Sequence, residues 1–118
     1  MSLHVLIVDD NHASADLLRE LLELQEHAAQ CAYTGRQALE AAAGDSFDVA
    51  LVDLTLPDMH GTEVAQQLRA NAAASGQGLL LVAVSGHAAS AATQALFDYH
   101  LQKPIDFDAL DRILAQVA

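Results

Sequence analysis

The chain has 118 residues, of which 53% are hydrophobic, so it is long enough for one domain with a real core and too apolar to be disordered. Its formal net charge is −11, and Arg19, Arg36, Arg69, Lys103 and Arg112 are its only basic residues besides six histidines. That balance argues against nucleic acid as a partner and suits protein partners, a bound cation or plain solubility. Cys31 is the sole cysteine, so no internal disulfide forms, and its apolar setting AAQCAY favours a core role over reactivity. No apolar run approaches about 20 residues, so no membrane contact is expected. Strand-like sequence begins by Val5 and leaves no room for a signal peptide. The expectation is a cytoplasmic single domain over residues 1–118, with no output domain in these residues.

Residues 3–8 form a short β-branched apolar run, read as the first strand. Residues 12–26 carry Ala15, Leu18 and Leu22, with Leu17, Leu21 and Leu24 beside them, at helical spacing. Asn11 or Ser14 is the candidate cap. Residues 28–32 make a weak second strand, and Thr34-Gly35 turns the chain into an alanine-rich helix at 36–43 that Gly44 ends. Residues 49–52 are wholly apolar, as a central strand buried on both faces should be. Pro57 and Gly61 punctuate the next loop, and 62–74 reads as a helix with Val64, Ala65 and Leu68 inward. Residues 79–84 are the strongest strand in the sequence. A short helix at 88–96, a fifth strand at 100–102 and a last helix at 107–117 complete the chain. Five alternations of strand and helix predict an α/β fold with a parallel sheet covered on both faces.

Charged and polar residues stand where these strands end. LIVDDN places Asp9 and Asp10 after the first strand, ALVD places Asp53 after the third, LLLVAVS places Ser85 after the fourth, and LQKP places Lys103 after the fifth. Ligands of open parallel sheets bind at that edge. Adjacent aspartates repel one another, and a hard divalent cation offsets that repulsion. Asp10 and Asp53 are the expected direct ligands, with Asp9 acting through water; the alternative is that Asp9 or Asp10 only caps the first helix. A carboxylate ending a buried strand is desolvated, paired or reactive, and aspartate accepts phosphoryl groups in covalent intermediates. A lysine and a metal neutralise phosphoryl oxygens.

The ordered set Asp9, Asp10, Asp53, Leu56-Pro57, Gly61, Ser85 and Lys103-Pro104 resembles the receiver domains of two-component response regulators, over essentially the whole chain. The resemblance implies a flavodoxin-like doubly wound sheet of five strands, order 2-1-3-4-5, with five helices. It implies that Asp53 accepts a phosphoryl group from a histidine kinase or phosphotransfer domain. Asp9 and Asp10 would help hold Mg²⁺, with Asp53 and the backbone carbonyl of Thr55 completing its protein ligands. Lys103 would contact the phosphoryl group, and Ser85 would follow it to switch the state. Such a protein is a signalling phosphoacceptor rather than an enzyme in the ordinary sense.

Two features narrow the match. FDYHLQKPIDFDAL is similar to receiver modules of hybrid histidine kinases, which makes a tethered kinase or output domain a candidate partner. His100 stands where many receivers carry a rotating switch aromatic, and Tyr99, one position early, should point to the other face of the strand. Ser85 and Lys103 are 18 residues apart (103 − 85), about one helical turn fewer than is usual for this family, so the helix between the last two strands or its loop should be shortened. A weakened dimer through that face is the corollary. Thr55 and His87 are candidates to flank the site and govern water access, against the alternative of exposed loop side chains. His4, His12, His27 and His60 share no metal-ligand spacing and are expected at the surface. Phe47, Phe97 and Phe107 are expected in packing roles.

Three other readings compete. A metal-dependent aspartyl phosphatase usually carries a second aspartate two residues after the nucleophile, where Thr55 stands. A flavin binder wants a Ser/Thr/Gly-rich phosphate loop after the first strand, where DDNHAS is acidic. A degenerate receiver used only for docking would not keep all five key positions filled.

Overall fold

The structure is a computed structural model that describes residues 3–76, 78–86 and 95–117. Five strands alternate with helices: β1 His4–Val8, α1 His12–Leu24, β2 Ala28–Ala32, α2 Gly35–Gly44, β3 Val49–Asp53, α3 Gly61–Ala74, β4 Leu80–Ser85, β5 Tyr99–Gln102 and α4 Phe107–Val117. All strand pairs are parallel and the sheet order is β2-β1-β3-β4-β5, as predicted. Four helices lie among the described residues. The helix predicted at 88–96, with its expected shortening, falls largely outside them.

Strand alternation divides the core in two. Val5, Ile7, Val49, Leu51, Val82 and Val84 meet Ala15, Leu18 and Leu22 of α1 and Leu110, Ile113 and Leu114 of α4. Leu6, Val8, Ala50, Val52, Leu81 and Ala83 meet Ala38 of α2 and Val64, Ala65 and Leu68 of α3. The unbroken apolar runs of β1, β3 and β4 therefore serve both faces at once. Asn11 caps α1 by accepting from the Ser14 amide at 3.0 Å, so neither Asp9 nor Asp10 serves as the cap.

Several sequence boundaries move. β3 and β4 run one residue further than the apolar runs, and Asp53 and Ser85 are paired in register with Val84 and Gln102. The hydrogen-bonded ladder continues past the change in polarity, because β4 shields Asp53 from the side. Leu17 and Leu24, seven residues apart, face solvent opposite the buried side of α1, and Leu24 is 80% exposed. Phe47 and Phe97 are buried, whereas Phe107, at the first position of α4 and ahead of its core contacts, is 43% exposed. Two of the four histidines expected at the surface are half-buried and bonded: His27 Nδ1 accepts from the Leu3 amide at 3.0 Å, and His4 Nδ1 donates to the Ser46 carbonyl at 2.6 Å.

A repeated dipeptide closes the amino-terminal edge of the sheet. Phe47-Asp48 and Phe97-Asp98 each precede a strand, with the phenylalanine buried. The Asp48 carboxylate accepts from the His4 amide at 2.8 Å while its own amide donates to the His4 carbonyl at 2.8 Å. Asp98 repeats this with Leu81, at 2.9 and 2.8 Å, and adds Arg69 at 3.1 Å. Each aspartate thus satisfies a strand-end donor that has no ladder partner. Asp48→Ala and Asp98→Ala are each expected to lower unfolding free energy by about 1–3 kcal/mol, the cost of orphaning a sheltered amide. Urea denaturation checks this, and a midpoint unchanged in both variants refutes it.

Candidate functional site

The sheet order reverses direction between β1 and β3, and the carboxyl ends of those two strands carry Asp9 and Asp53. A crevice at such a reversal is the usual ligand site of open α/β sheets. Asp53 is 2% exposed. Its Oδ1 accepts from the Thr55 amide and the Thr55 hydroxyl, both at 2.9 Å, and its Oδ2 accepts from Lys103 Nζ at 2.9 Å. Lys103 reaches this point because its amide donates to the Ser85 carbonyl at 2.7 Å, which ties the end of β5 to the end of β4.

Asp9 is buried and Asp10 is exposed. Asp9 Oδ1 accepts from the Asn11 amide at 3.0 Å, and its Oδ2 lies 3.5 Å from Lys103 Nζ. Asp9, Asp10 and Asp53 each offer a carboxylate oxygen within 4.8 Å of the others. Three hard oxygen donors at one solvent-accessible crevice fit the chemistry of Mg²⁺.

The titration behaviour of the cluster is divided. Burial pushes the Asp53 carboxyl up, but the Thr55 amide, the Lys103 ammonium and the Thr55 hydroxyl outweigh it, so Asp53 titrates below the ordinary carboxylate range. At Asp9 burial prevails over the Asn11 amide and Lys103, and the carboxyl titrates above that range. Burial alone would lower Lys103, yet bonding to Asp53 and the charges of Asp53 and Asp9 hold it above its ordinary value. One ammonium therefore serves Asp53 well and Asp9 poorly.

The sequence-predicted residues fall into three groups. Asp9, Asp10, Asp53, Thr55 and Lys103 come together at the crevice. Ser85 is 3% exposed, and its Oγ lies 3.2 Å from His100 Nε2, so the hydroxyl and the imidazole are in direct contact. Tyr99 is partly exposed beside half-buried His100, on the opposite side of β5 as strand alternation requires. His87 lies outside the described residues. Thr55 is an exposed loop residue, and both its amide and its hydroxyl bind Asp53. The sequence reading overlooked Asp58, whose carboxylate accepts from the Gly35 amide at 2.8 Å and the Arg36 amide at 3.0 Å. Cap rules look forward along the chain, and α2 begins 23 residues before Asp58, so no local signal marks it.

A raised carboxyl pKa means that the folded state holds the Asp9 proton more tightly than the unfolded chain. Stability contributed by Asp9 therefore falls as pH rises through the interval above the ordinary carboxylate value of 3.8. Asp9→Asn removes that loss. In metal-free buffer near neutral pH it should raise the thermal midpoint while weakening binding of any divalent cation. A lower midpoint than the parent would refute the electrostatic assignment.

Comparison with known proteins agrees with this geometry. The profile of the response regulator receiver domain matches residues 5–115. Sensor histidine kinase AtsR of Burkholderia thailandensis is 31% identical over 118 residues, covering 98% of this chain and 20% of that protein. Virulence sensor protein BvgS of Bordetella bronchiseptica is 35% identical over 125 aligned positions, covering all of this chain and 10% of that protein. The chain thus spans a fifth or less of the length of these two relatives. A CheY-like response regulator receiver domain from Methylobacillus flagellatus superposes with a TM-score of 0.90, at 34% identity and full coverage of both chains. The chain belongs to the response regulator receiver domain family.

Proposed function

We propose that this domain is the phosphoacceptor of a two-component phosphorelay and that Asp53 receives the phosphoryl group. The observation that carries the proposal is the state of Asp53: a buried carboxylate kept ionised by Lys103 Nζ and Thr55 at 2.9 Å, at the open edge of the sheet. Lys103 and Thr55 offset the burial that would otherwise protonate the carboxyl, so Asp53 offers an ionised oxygen as nucleophile. The donor is a phosphohistidine of a histidine kinase or phosphotransfer domain. The two sensor-type relatives, each several times longer than this chain, support a kinase or output domain as a tethered or separate partner.

In the transfer, a carboxylate oxygen of Asp53 bonds to phosphorus. The phosphorus–nitrogen bond of the donor breaks, and its electron pair returns to the imidazole, which takes a proton from solvent. The product is an acyl phosphate on Asp53. Lys103 exchanges one partner, the carboxylate, for phosphoryl oxygens without leaving the crevice. Mg²⁺, held by Asp9, Asp10, Asp53 and the Thr55 carbonyl, would supply positive charge to the phosphoryl oxygens when bound. Ser85 moves its hydroxyl from His100 toward the new phosphoryl group, which couples the chemistry to β5. Thr55 stands against the carboxylate, and with His87 it controls the approach of the hydrolysing water.

The phosphatase reading is disfavoured because the residue two past the nucleophile is Thr55, a hydroxyl with no general-acid capacity at neutral pH. The presence of Asp9, Asp10, Asp53, Ser85 and Lys103 together favours a phosphoacceptor over a docking-only receiver. No described helix is long and apolar enough to cross a membrane, and a cytoplasmic setting is part of the proposal.

Incubation with Mg²⁺ and a small acyl phosphate should add a single phosphoryl group, read by intact mass and lost in Asp53→Asn. Phosphoryl on another residue overturns the assignment. Asp10→Ala should abolish the Mg²⁺-induced rise in thermal midpoint; a parent-like rise would remove Asp10 from the ligand set. Thr55→Ala should change the dephosphorylation rate, because it removes the hydroxyl that stands against the Asp53 carboxylate. A rate equal to the parent's in Thr55→Ala and in the His87→Ala double variant would return both residues to a passive role.

A further inference from the structure

The loop between β3 and α3, residues 54–60, carries Thr55 and is fastened at three levels. At its root Gly61 lies so close to the strand end that a side-chain carbon there would sit 2.6 Å from the Asp53 carbonyl oxygen and 2.7 Å from Leu54 Cα. The Gly61 amide also donates to the Leu54 carbonyl at 3.3 Å. One step out, Thr55 and His60 form an isolated antiparallel bridge. At its tip the loop reaches another element altogether. Asp58 spans the first two amides of α2, and Met59 fills the space that a side chain at Gly35 would occupy.

The start of α2 shows how complete this attachment is. A helix leaves four amides without intrahelical partners. Here Gly35 and Arg36 donate to Asp58 and Gln37 donates to the Thr34 hydroxyl at 3.1 Å, while the Ala38 amide makes the first intrahelical bond, to the Thr34 carbonyl at 3.1 Å. Two of these three end donors, Gly35 and Arg36, are met by an acid that comes from the loop carrying Thr55. The helix dipole favours a negative charge at this end, which strengthens both bonds. The backbone amides draw the Asp58 carboxyl below its ordinary range, so the latch is charged throughout the physiological range.

We propose that Asp58 is a positioning residue for the Asp53 site: by holding the loop tip on the N-terminus of α2, it fixes Thr55 against Asp53 and presents the Thr55 carbonyl to the cation. The proposal rests on the phosphoacceptor reading only for its metal. The placement of Thr55 is independent of it. With the latch removed, the loop keeps its root at Gly61, the Thr55–His60 bridge and the Met59 packing at Gly35, but its tip loses both hydrogen bonds to α2, and Thr55 samples positions away from Asp53 more often. The energy of the cap thereby acts on the geometry of Thr55, up to roughly 10 Å of extended chain away, rather than on α2 alone, as with other outer-shell partners of a metal site.

The test compares Asp58→Ala, Asp58→Asn and Thr34→Ala in the full chain. Thr34→Ala removes the other cap of α2 and leaves the loop untouched, so it controls for loss of helix stability. Mg²⁺ affinity is read from the dependence of the thermal midpoint on metal concentration, and amide exchange at Thr55 is read in metal-free protein. Asp58→Ala should weaken Mg²⁺ by about tenfold, as expected for a lost outer-shell partner, and should speed exchange at Thr55. Asp58→Asn keeps one acceptor oxygen and should recover part of both. Thr34→Ala should lower the midpoint with Mg²⁺ affinity and Thr55 exchange unchanged. Equal behaviour of Asp58→Ala and Thr34→Ala overturns the proposal. If the parent binds no Mg²⁺, the phosphoacceptor reading fails, and exchange at Thr55 alone then decides the role of Asp58.

Discussion

An ionised carboxylate at the inner end of the central strand is the constraint around which the rest of the molecule is arranged. Asp53 stands in the sheet ladder between β1 and β4, almost without solvent. A charge there is tolerated only when it is paired and hydrogen-bonded. Lys103 and Thr55 provide for both oxygens. Each of these partners has its own fastening: Lys103 through its amide to Ser85, Thr55 through the loop that Asp58 secures. The arrangement therefore recruits β4, β5, the β3–α3 loop and the start of α2 into one network, although few of these residues are neighbours in the chain.

The same network is unbalanced. Three acids share one lysine, and Asp9 bears the consequence as a carboxyl that burial makes reluctant to ionise. Replacing it with a neutral residue would relax the fold. A positive charge arriving from outside would relieve this strain, as the proposed cation would. Function here is written as a deliberate local instability, set in a core whose two apolar faces supply the stability it subtracts from.

The parallel sheet and the crevice residues were legible in the sequence because parallel strands buried on both faces leave apolar runs, and polar residues after each run mark the sheet edge; the strand order followed only from the resemblance to receiver domains. Asp9, Asp10, Asp53 and Lys103 could be read from position alone. The ends of β3 and β4 could not, since Asp53 and Ser85 break the apolar pattern while the backbone ladder continues. Phe107 misled because an aromatic residue signals burial by type, whereas exposure is decided by where in its helix it falls. Asp58, Asp48 and Asp98 were silent for a shared reason. Each caps an element distant in sequence, and patterns read along one chain report only local partners.

The paired Phe-Asp elements bear on how such a domain can change over time. They sit at the amino-terminal edge of the sheet, and the carboxylate crevice sits at the other, a strand length of about 17 Å away. Substitutions that far apart with no common partner combine almost independently. Thermal tolerance can thus be tuned at Asp48 and Asp98 with little effect on the geometry of the crevice, while residues at the crevice can change without loss of the strand-end caps. A lineage that moves between hot and cold habitats need not retime its responses to do so. Two edges with separate duties let adaptation to temperature and adaptation of signalling proceed without trading against each other.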